Sequence, residues 1–167
     1  MKLSKKLTAM AMVAVMALGV TACGGSEPAA EDAGKTYIIA TDTTFAPFEF
    51  QNEAGEYVGI DIELLEAIAA DQGFDYELQA LGFSAAVQAL EAGQADGVIA
   101  GMSITEERQQ KFDFSEAYFD SGVVMGIAAD NEEIKSYEDL AGKKVAVKIG
   151  TEGADFAESI KDQYGFE

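Results

Sequence analysis

Apolar and polar residues follow two different periods along residues 36–167, and these periods predict strands and helices in turn. The apolar runs with the length and composition of β-strands are 37–41, 76–81 and 97–100. Between them, apolar residues recur at helical spacing over 61–72, with Gly73 as a stop, and again after Ser84, which we expect to cap a helix that ends at Gly93. This order predicts an α/β domain with a mostly parallel sheet.

The pattern also predicts where a ligand binds. In open α/β sheets, ligands lie beyond the carboxyl ends of the strands, close to helix starts. The three strand ends are 41–48, 81–84 and 100–103. We expect these segments to converge on one site.

Further along the chain, the pattern predicts the beginning of a second lobe. The expected elements are a strand at 122–129, a helical turn at 136–140, a strand at 143–149 and a helix at 151–163. Two strands' worth of sequence cannot close a core of its own. We therefore expect lobe 1 at 36–128 and the start of lobe 2 at 129–167, in a chain that is a fragment or ends prematurely.

The N-terminal residues have the features of a leader followed by a tether. A cationic start precedes an apolar run at 7–20 that is short for a membrane span, as in a secretory signal peptide, which we place at 1–22. The sequence up to Cys23 resembles the lipobox of bacterial lipoproteins, which predicts lipid on that thiol and an anchor outside the cytoplasm. The alternative is a chance cysteine after an ordinary signal peptide. Residues 23–35 are rich in small and polar side chains and predict a flexible linker.

The balance of charge limits the partners of the chain. Eleven basic residues stand against thirty acidic ones, a formal net charge of −19. Removing 1–22 removes three lysines and no acid, which gives −22. So acidic a surface repels nucleic acid and anionic lipid headgroups, whereas a zwitterion suffers much less from its field.

The sequence offers little for catalysis or for a cofactor. It has no histidine, no Gly-rich phosphate loop and no cluster of metal-ligand type, and its one cysteine is expected to carry lipid. Glu49 and Glu152 are the conceivable acids, without a sequence feature that tunes them for proton transfer. We therefore expect no enzyme, no cofactor and no metal ion.

Arg108 is the only arginine in the chain. Its guanidinium matches a carboxylate in two parallel hydrogen bonds. Residues 103–106, Ser-Ile-Thr-Glu, have the pattern of a capping box that opens a helix just before it. These features predict a receptor for a small carboxylate. The alternative is a surface arginine paired with Glu107 or Asp113.

Six motifs then occur in an order that resembles a known family. They are ATDTTFAPFEF at 40–50, VGID at 58–61, GFS at 82–84, AGMSITEER at 100–108, FDFS at 112–115 and VAVKIGT at 145–151. Together they resemble the polar-amino-acid family of extracellular solute-binding proteins, family 3, that feed ABC importers, with glutamine-binding members most similar. The resemblance implies the periplasmic-binding-protein-like type II fold, in which two α/β lobes close over the ligand.

The resemblance implies roles for residues that hold the ligand α-carboxylate. Arg108 would bind it bidentately, assisted by the Ser103 N–H and hydroxyl, and Thr151 would add a hydrogen bond. Ala100 and Gly101 would present main-chain groups to the ligand. The acid that holds the ligand ammonium in this family falls outside the sequence.

Four further residues would surround the rest of the ligand. Phe45 and Phe83 would sandwich its aliphatic part, while Asp42 and Lys148 would contact its polar side-chain end. For Phe83 a core role and a place at the lobe edge are equally compatible with the sequence. Asp42 could instead terminate its strand as a turn residue. A lysine among apolar neighbours favours a cleft role for Lys148.

The implied function is capture of a polar amino acid, glutamine or similar, outside the cytoplasmic membrane and its delivery to the permease subunits of an ABC transporter. Two alternatives on the same fold stay open. One is a sensor domain that reports the amino acid to a kinase or receptor, and the other is a cyclic-acid dehydratase.

Overall fold

The computed structural model describes residues 35–167, so the expected leader and Cys23 lie outside the described residues. The strands are β1 (Thr36–Thr41), β2 (Thr44–Phe45), β3 (Glu49–Gln51), β4 (Tyr57–Val58), β5 (Asp75–Ala80) and β6 (Gly97–Val98). The helices are α1 (Ile60–Gln72), α2 (Phe83–Glu91), α3 (Glu106–Gln109), a 3-10 turn (Tyr137–Leu140) and α4 (Glu152–Tyr164).

Strand β1 is the centre of a parallel three-stranded sheet in the order β5-β1-β6. Its six residues pair with β5 from Thr36 opposite Asp75 to Thr41 opposite Ala80. Helix α2 covers the sheet with alanines rather than large side chains, which allows a close approach of helix and strands. The expectation of a mixed α/β fold with a parallel sheet is confirmed, and the carboxyl ends of the three strands lie at one edge.

The end of α1 and the start of α2 have different causes. Helix α1 ends where predicted, at Gly73, which adopts the left-handed conformation with φ 72°. The prediction that Ser84 caps α2 is wrong, because α2 begins at Phe83 after Gly82, and Ser84 is its second residue. The Phe83 N–H is instead satisfied by the distant Asp42 carboxylate, at 3.2 Å.

A small antiparallel sheet of β2, β3 and β4, absent from the sequence expectations, lies between β1 and α1 in the chain. Its turn carries Phe48, which is buried and packs between the rings of Phe45 and Phe119, at centroid distances of 5.1 and 5.0 Å. This sheet is fixed to the start of α1, because Ile60 N–H donates to Pro47 at 3.0 Å.

The strands predicted at 122–129 and 143–149 are not formed. A strand needs a neighbour for its backbone hydrogen bonds, and within the described residues 122–129 has none; Val124 is 90% exposed. Segment 143–149 finds a partner only at its start, where Glu167 N–H donates to Lys143 and Val145 N–H donates to Glu167 at 2.8 and 2.7 Å.

The helical predictions for this region are confirmed. The turn expected at 136–140 is the 3-10 turn, opened by a capping box between Ser136 and Asp139. The helix expected at 151–163 is α4, with Thr151 as its N-cap. No helix among residues 35–167 has both the length and the apolar character that crossing a membrane demands.

Candidate functional site

The guanidinium of Arg108 lies between the loop at Ser103 and the segment at Gly150 rather than in solvent. One terminal nitrogen donates to the Ser103 carbonyl and the other to the Gly150 carbonyl, each at 2.9 Å. The Glu152 carboxylate lies 3.9 Å away, and the guanidinium carbon is 5.7 Å from the centre of the Phe83 ring. With only 14% of its side chain exposed, Arg108 is not the solvated surface arginine of the alternative interpretation, and its ion pair is with Glu152.

The backbone that carries Arg108 differs from the expected capping box at 103–106. Helix α3 is a single turn whose N-cap is Thr105, not Ser103. The Thr105 hydroxyl accepts the Arg108 N–H at 3.2 Å, because Thr105 has the extended backbone of a cap and lies immediately before the helix. Ser103 contributes its carbonyl oxygen to Arg108.

Asp42 and Lys148 form a second polar contact between residues before 121 and residues after 142. The Asp42 carboxylate is 2% exposed and directly follows β1. It accepts the N–H groups of Thr43 and Phe83 at 2.7 and 3.2 Å and the Lys148 ammonium. Asp42 therefore follows the end of β1 outside any turn, and it is the ion-pair partner of Lys148.

The electrostatics of Asp42 favour its charged form. Burial raises the pKa of this carboxyl, but hydrogen bonds from Lys148 and from the two backbone amides outweigh it, so the pKa lies below its usual range. At neutral pH the Asp42 side chain is therefore a carboxylate.

The rings expected to sandwich the ligand each face a cation. Phe45 is 39% exposed, and the Lys148 ammonium lies 6.0 Å from its ring centre. Phe83 is 7% exposed and lies beneath Arg108. Both distances are within the range of cation–π attraction, so ring and cation alternate along this edge.

The loop at 100–103 is held by a residue that the sequence predictions did not assign to the site. Gly101 N–H donates to the Asp61 carboxylate at 2.7 Å, and Asp61 also accepts the Tyr118 hydroxyl at 2.9 Å. Gly101 has φ 52°, and a Cβ there would lie 2.6 Å from the Phe45 ring. Only glycine allows this loop to pass so close to the ring; its neighbour Ala100 is buried.

Beneath this loop, Glu49 is fully buried, and neither of its carboxyl oxygens has a hydrogen-bond partner. Burial, together with the charge of Asp61, raises the pKa of Glu49 to about 9. No sequence feature around Glu49 indicated such tuning. Glu49 is therefore protonated at neutral pH, but it is inaccessible to a substrate.

Thr151 and the cavities complete the site. The Thr151 hydroxyl accepts the Ala154 N–H at 3.3 Å and donates to the Lys148 carbonyl at 2.7 Å. A cavity of about 270 Å³ lies between α2, α3 and the start of α4 and is lined by Phe83 and Arg108. An adjoining cavity of about 1040 Å³, which shares Met102 with the first, is lined by Phe45, Ala100, Gly101 and Ser103.

The nine predicted site residues lie near the carboxyl ends of the parallel strands or contact residues that do. Lys148 bonds to Asp42 and Thr151 to Lys148. Arg108 bonds to Gly150 as well as to Ser103, and Gly101 bonds to Asp61, so these two also use partners outside the nine. Among residues 35–167, no group of histidine, cysteine and carboxylate side chains could hold a metal ion. The residues that sequence reasoning missed are Asp61, Tyr118 and Gly150. The VGID motif at 58–61 was the available signal for Asp61.

The chain is similar in sequence to a known family of proteins. The profile described as "Bacterial extracellular solute-binding proteins, family 3" matches residues 37–163. The arginine-binding extracellular protein ArtP of Bacillus subtilis is 32% identical over 163 residues, which are 98% of this chain and 63% of ArtP. The chain thus spans less than two thirds of that relative's length.

Solved structures show the same fold. An ancestral arginine-binding protein bound to arginine is 40% identical with a TM-score of 0.71, over 79% of this chain and 58% of its own. Substrate-binding domain 2 of GlnP from Lactococcus lactis, in its open conformation, is 40% identical with a TM-score of 0.54, over 86% and 60% of the chains. The ancestral amino acid-binding protein AncCDT-1, a precursor of cyclohexadienyl dehydratase, is 35% identical with a TM-score of 0.68, over 79% and 60%.

Proposed function

We propose that this chain captures a polar amino acid for an ABC importer. The chain belongs to family 3 of the bacterial extracellular solute-binding proteins, and this membership is the starting point of the proposal. The observation that carries the proposal is Arg108, which is mostly buried, lies over the Phe83 ring and donates to two backbone carbonyls. A ligand carboxylate is a stronger acceptor than a carbonyl, since the hydrogen bond is then charged on both sides. It can therefore replace Ser103 and Gly150 as the partner of the guanidinium.

The second polar contact serves the side-chain end of the ligand. Asp42 offers an acceptor and Lys148 a donor, both beside the Phe45 ring. The carboxamide of glutamine has both a donor and an acceptor, and the guanidinium of arginine can use the carboxylate alone. We therefore assign glutamine and arginine as the two ligands to test first.

The nine predicted residues then divide by role in this proposal. Arg108, Ser103 and Thr151 serve the carboxylate, and Ala100 and Gly101 the main-chain contacts. The side-chain end of the ligand is served by Asp42, Phe45, Phe83 and Lys148. In the open protein the ligand binds one lobe first, and closure follows because contacts to the other lobe form only in the closed state.

Isothermal titration of the full-length protein with L-glutamine and L-arginine tests the proposal. Arg108→Lys should weaken binding by about tenfold or more, because a point charge cannot replace the planar fork. Lys143→Gln is the control, since this change also removes a cation, but from a lysine that pairs with Glu133 on the exposed surface. Equal affinities of Arg108→Lys and the control would contradict the assignment of the site.

Similarity to AncCDT-1 favours one alternative function, a cyclic-acid dehydratase. Such an enzyme needs an accessible acid at the cleft, and Glu49, the carboxyl tuned to remain protonated, is fully buried. Incubation with a cyclic dienyl acid, followed by chromatography, separates the two functions, because turnover would establish catalysis.

A further inference from the structure

Asp61 connects three segments that meet at the candidate site. Its backbone N–H donates to the Phe48 carbonyl at 2.9 Å, which fixes it to the aromatic turn. Its two carboxylate oxygens accept from different partners, one from Gly101 N–H at 2.7 Å and the other from the Tyr118 hydroxyl at 2.9 Å. Gly101 lies in the loop after β6, and Tyr118 lies in the segment that leads toward the second lobe.

The side chain of Asp61 is fully buried, as is that of Glu49 beside it. A buried carboxylate is costly unless hydrogen bonds replace its water. Asp61 has such donors in Gly101 and Tyr118, whereas Glu49 has none. Hydrogen-bond donors therefore surround the carboxyl group of Asp61 and not that of Glu49.

We propose that Asp61 is a positioning residue of the amino-acid site, whose carboxylate holds Gly101 and Tyr118 together in the arrangement that the ligand meets. The inference rests on the proposed function, since it assigns a role within that same site. If the carboxylate is lost, the loop at 100–103 is free to move away from the Phe45 ring, and the segment at Tyr118 loses its bond to lobe 1. Asp61 itself touches no ligand.

Amide hydrogen exchange tests the positioning without any ligand. Asp61→Asn offers one acceptor oxygen where the carboxylate offers two, and it offers no charge. We expect exchange at Gly101 to accelerate about tenfold or more, since a charge-assisted bond is lost or weakened. Glu63→Gln is the matched control, because Glu63 is an exposed acid in the same first turn of α1. Unchanged exchange at Gly101 in folded Asp61→Asn would overturn the proposal.

Titration with L-glutamine and L-arginine adds the functional measurement. Asp61→Asn should lower affinity by about tenfold, and Tyr118→Phe, which keeps the carboxylate, by about threefold. The double variant should lose no more than Asp61→Asn alone, because Tyr118 acts through Asp61. Additive losses would contradict a shared role. If the unsubstituted chain binds neither amino acid, the proposed function fails, and exchange at Gly101 alone decides the positioning role.

A pH profile separates positioning from a general loss of structure. The charged and titratable groups that influence Glu49 are Asp61, Asp42 and Lys148, and the Tyr118 hydroxyl lies beside Asp61. As the pH rises past the Glu49 pKa of about 9, a second charge develops next to Asp61 and repels it. The unsubstituted chain should then lose affinity more steeply than Glu49→Gln, while titration of the ligand amine affects both alike. Parallel profiles would contradict the coupling.

Discussion

Glu49 shows how a single residue sets the pH response of this protein. Its pKa is about 9 in the folded chain because burial and Asp61 disfavour its charge, against an ordinary value of 4.5. The folded state thus holds a proton that the unfolded state releases above pH 4.5. The contribution of Glu49 to folding stability is therefore largest below that pH and falls as the pH rises toward 9, with a slope of up to about 1.4 kcal/mol per pH unit.

Replacing Glu49 removes this dependence. The free energy of unfolding of Glu49→Gln, from urea titrations between pH 5 and 9, should decline much less than that of the unsubstituted chain. Glu53→Gln, at an exposed position after β3, should keep the original slope. If Glu49→Gln and the unsubstituted chain have the same slope, Glu49 does not hold a proton in the folded state.

At the scale of elements, one glycine determines how the small antiparallel sheet meets α1. Gly59, the residue before α1, has φ 129° and ψ −179°, a conformation that is essentially confined to glycine. A Cβ there would lie 2.2 Å from the Phe48 carbonyl oxygen and 2.7 Å from that of Pro47. Any side chain at 59 must therefore move the turn away and break the backbone bonds that fix α1.

Gly59→Ala should accordingly destabilise the chain far more than an alanine at another glycine of positive φ. Gly73→Ala is the comparison, since Gly73 has φ 72° and open space around its Cβ position. We expect Gly73→Ala to cost about 1 kcal/mol and Gly59→Ala about 3 kcal/mol or more. Denaturant unfolding measures both, and equal costs would show that the clash is relieved cheaply.

The sequence correctly predicted those helix ends whose hydrogen bonds are made by neighbouring residues. The end of α1 at Gly73 and the cap of α4 at Thr151 follow from residues within one turn of the helix. The cap of α2 does not, because Asp42 supplies it from 41 residues away. The strands expected at 122–129 and 143–149 have the right composition, but strand formation depends on a partner that composition cannot report.

In the candidate site, motif resemblance predicted ligand contacts for Arg108, Asp42 and Lys148, and these roles stay predictions. It did not predict that Arg108 bonds to Gly150 or that Asp61 holds Gly101, because both contacts span about forty residues of sequence. Burial that shifts the Glu49 pKa is likewise a property of packing and not of the residues next to it.

Across residues 35–167 taken together, three polar contacts connect residues before 121 with residues after 142. They are Arg108 to the Gly150 carbonyl, Arg108 to Glu152, and Lys148 to Asp42. Each uses a group that we assign to the ligand, so in the proposed function ligand binding exchanges internal partners for ligand partners. Affinity therefore depends on the difference between two sets of hydrogen bonds, which favours ligands that carry full charges at their head group.

The acidity of the whole chain bears on the lipid anchor that the sequence predicts at Cys23, which lies outside the described residues. If 1–22 is removed as predicted, the formal charge becomes −22, and so acidic a protein is repelled by anionic lipid headgroups. Stable anchoring needs more than one acyl chain or an added basic patch, and this chain lacks the patch. Lipid on Cys23 would therefore have to provide the whole of the attachment.

Cys23→Ser should accordingly release the protein from membranes completely rather than weaken its binding. Fractionation of cells that express the unsubstituted chain, Cys23→Ser and the control Ser26→Ala measures the distribution. We expect the first and the control in the membrane fraction, resistant to a high-salt wash because hydrophobic insertion is not screened by salt. Cys23→Ser should appear in the soluble fraction. A membrane-bound Cys23→Ser protein would mean that the leader is retained as the anchor, and it would refute lipidation at this residue.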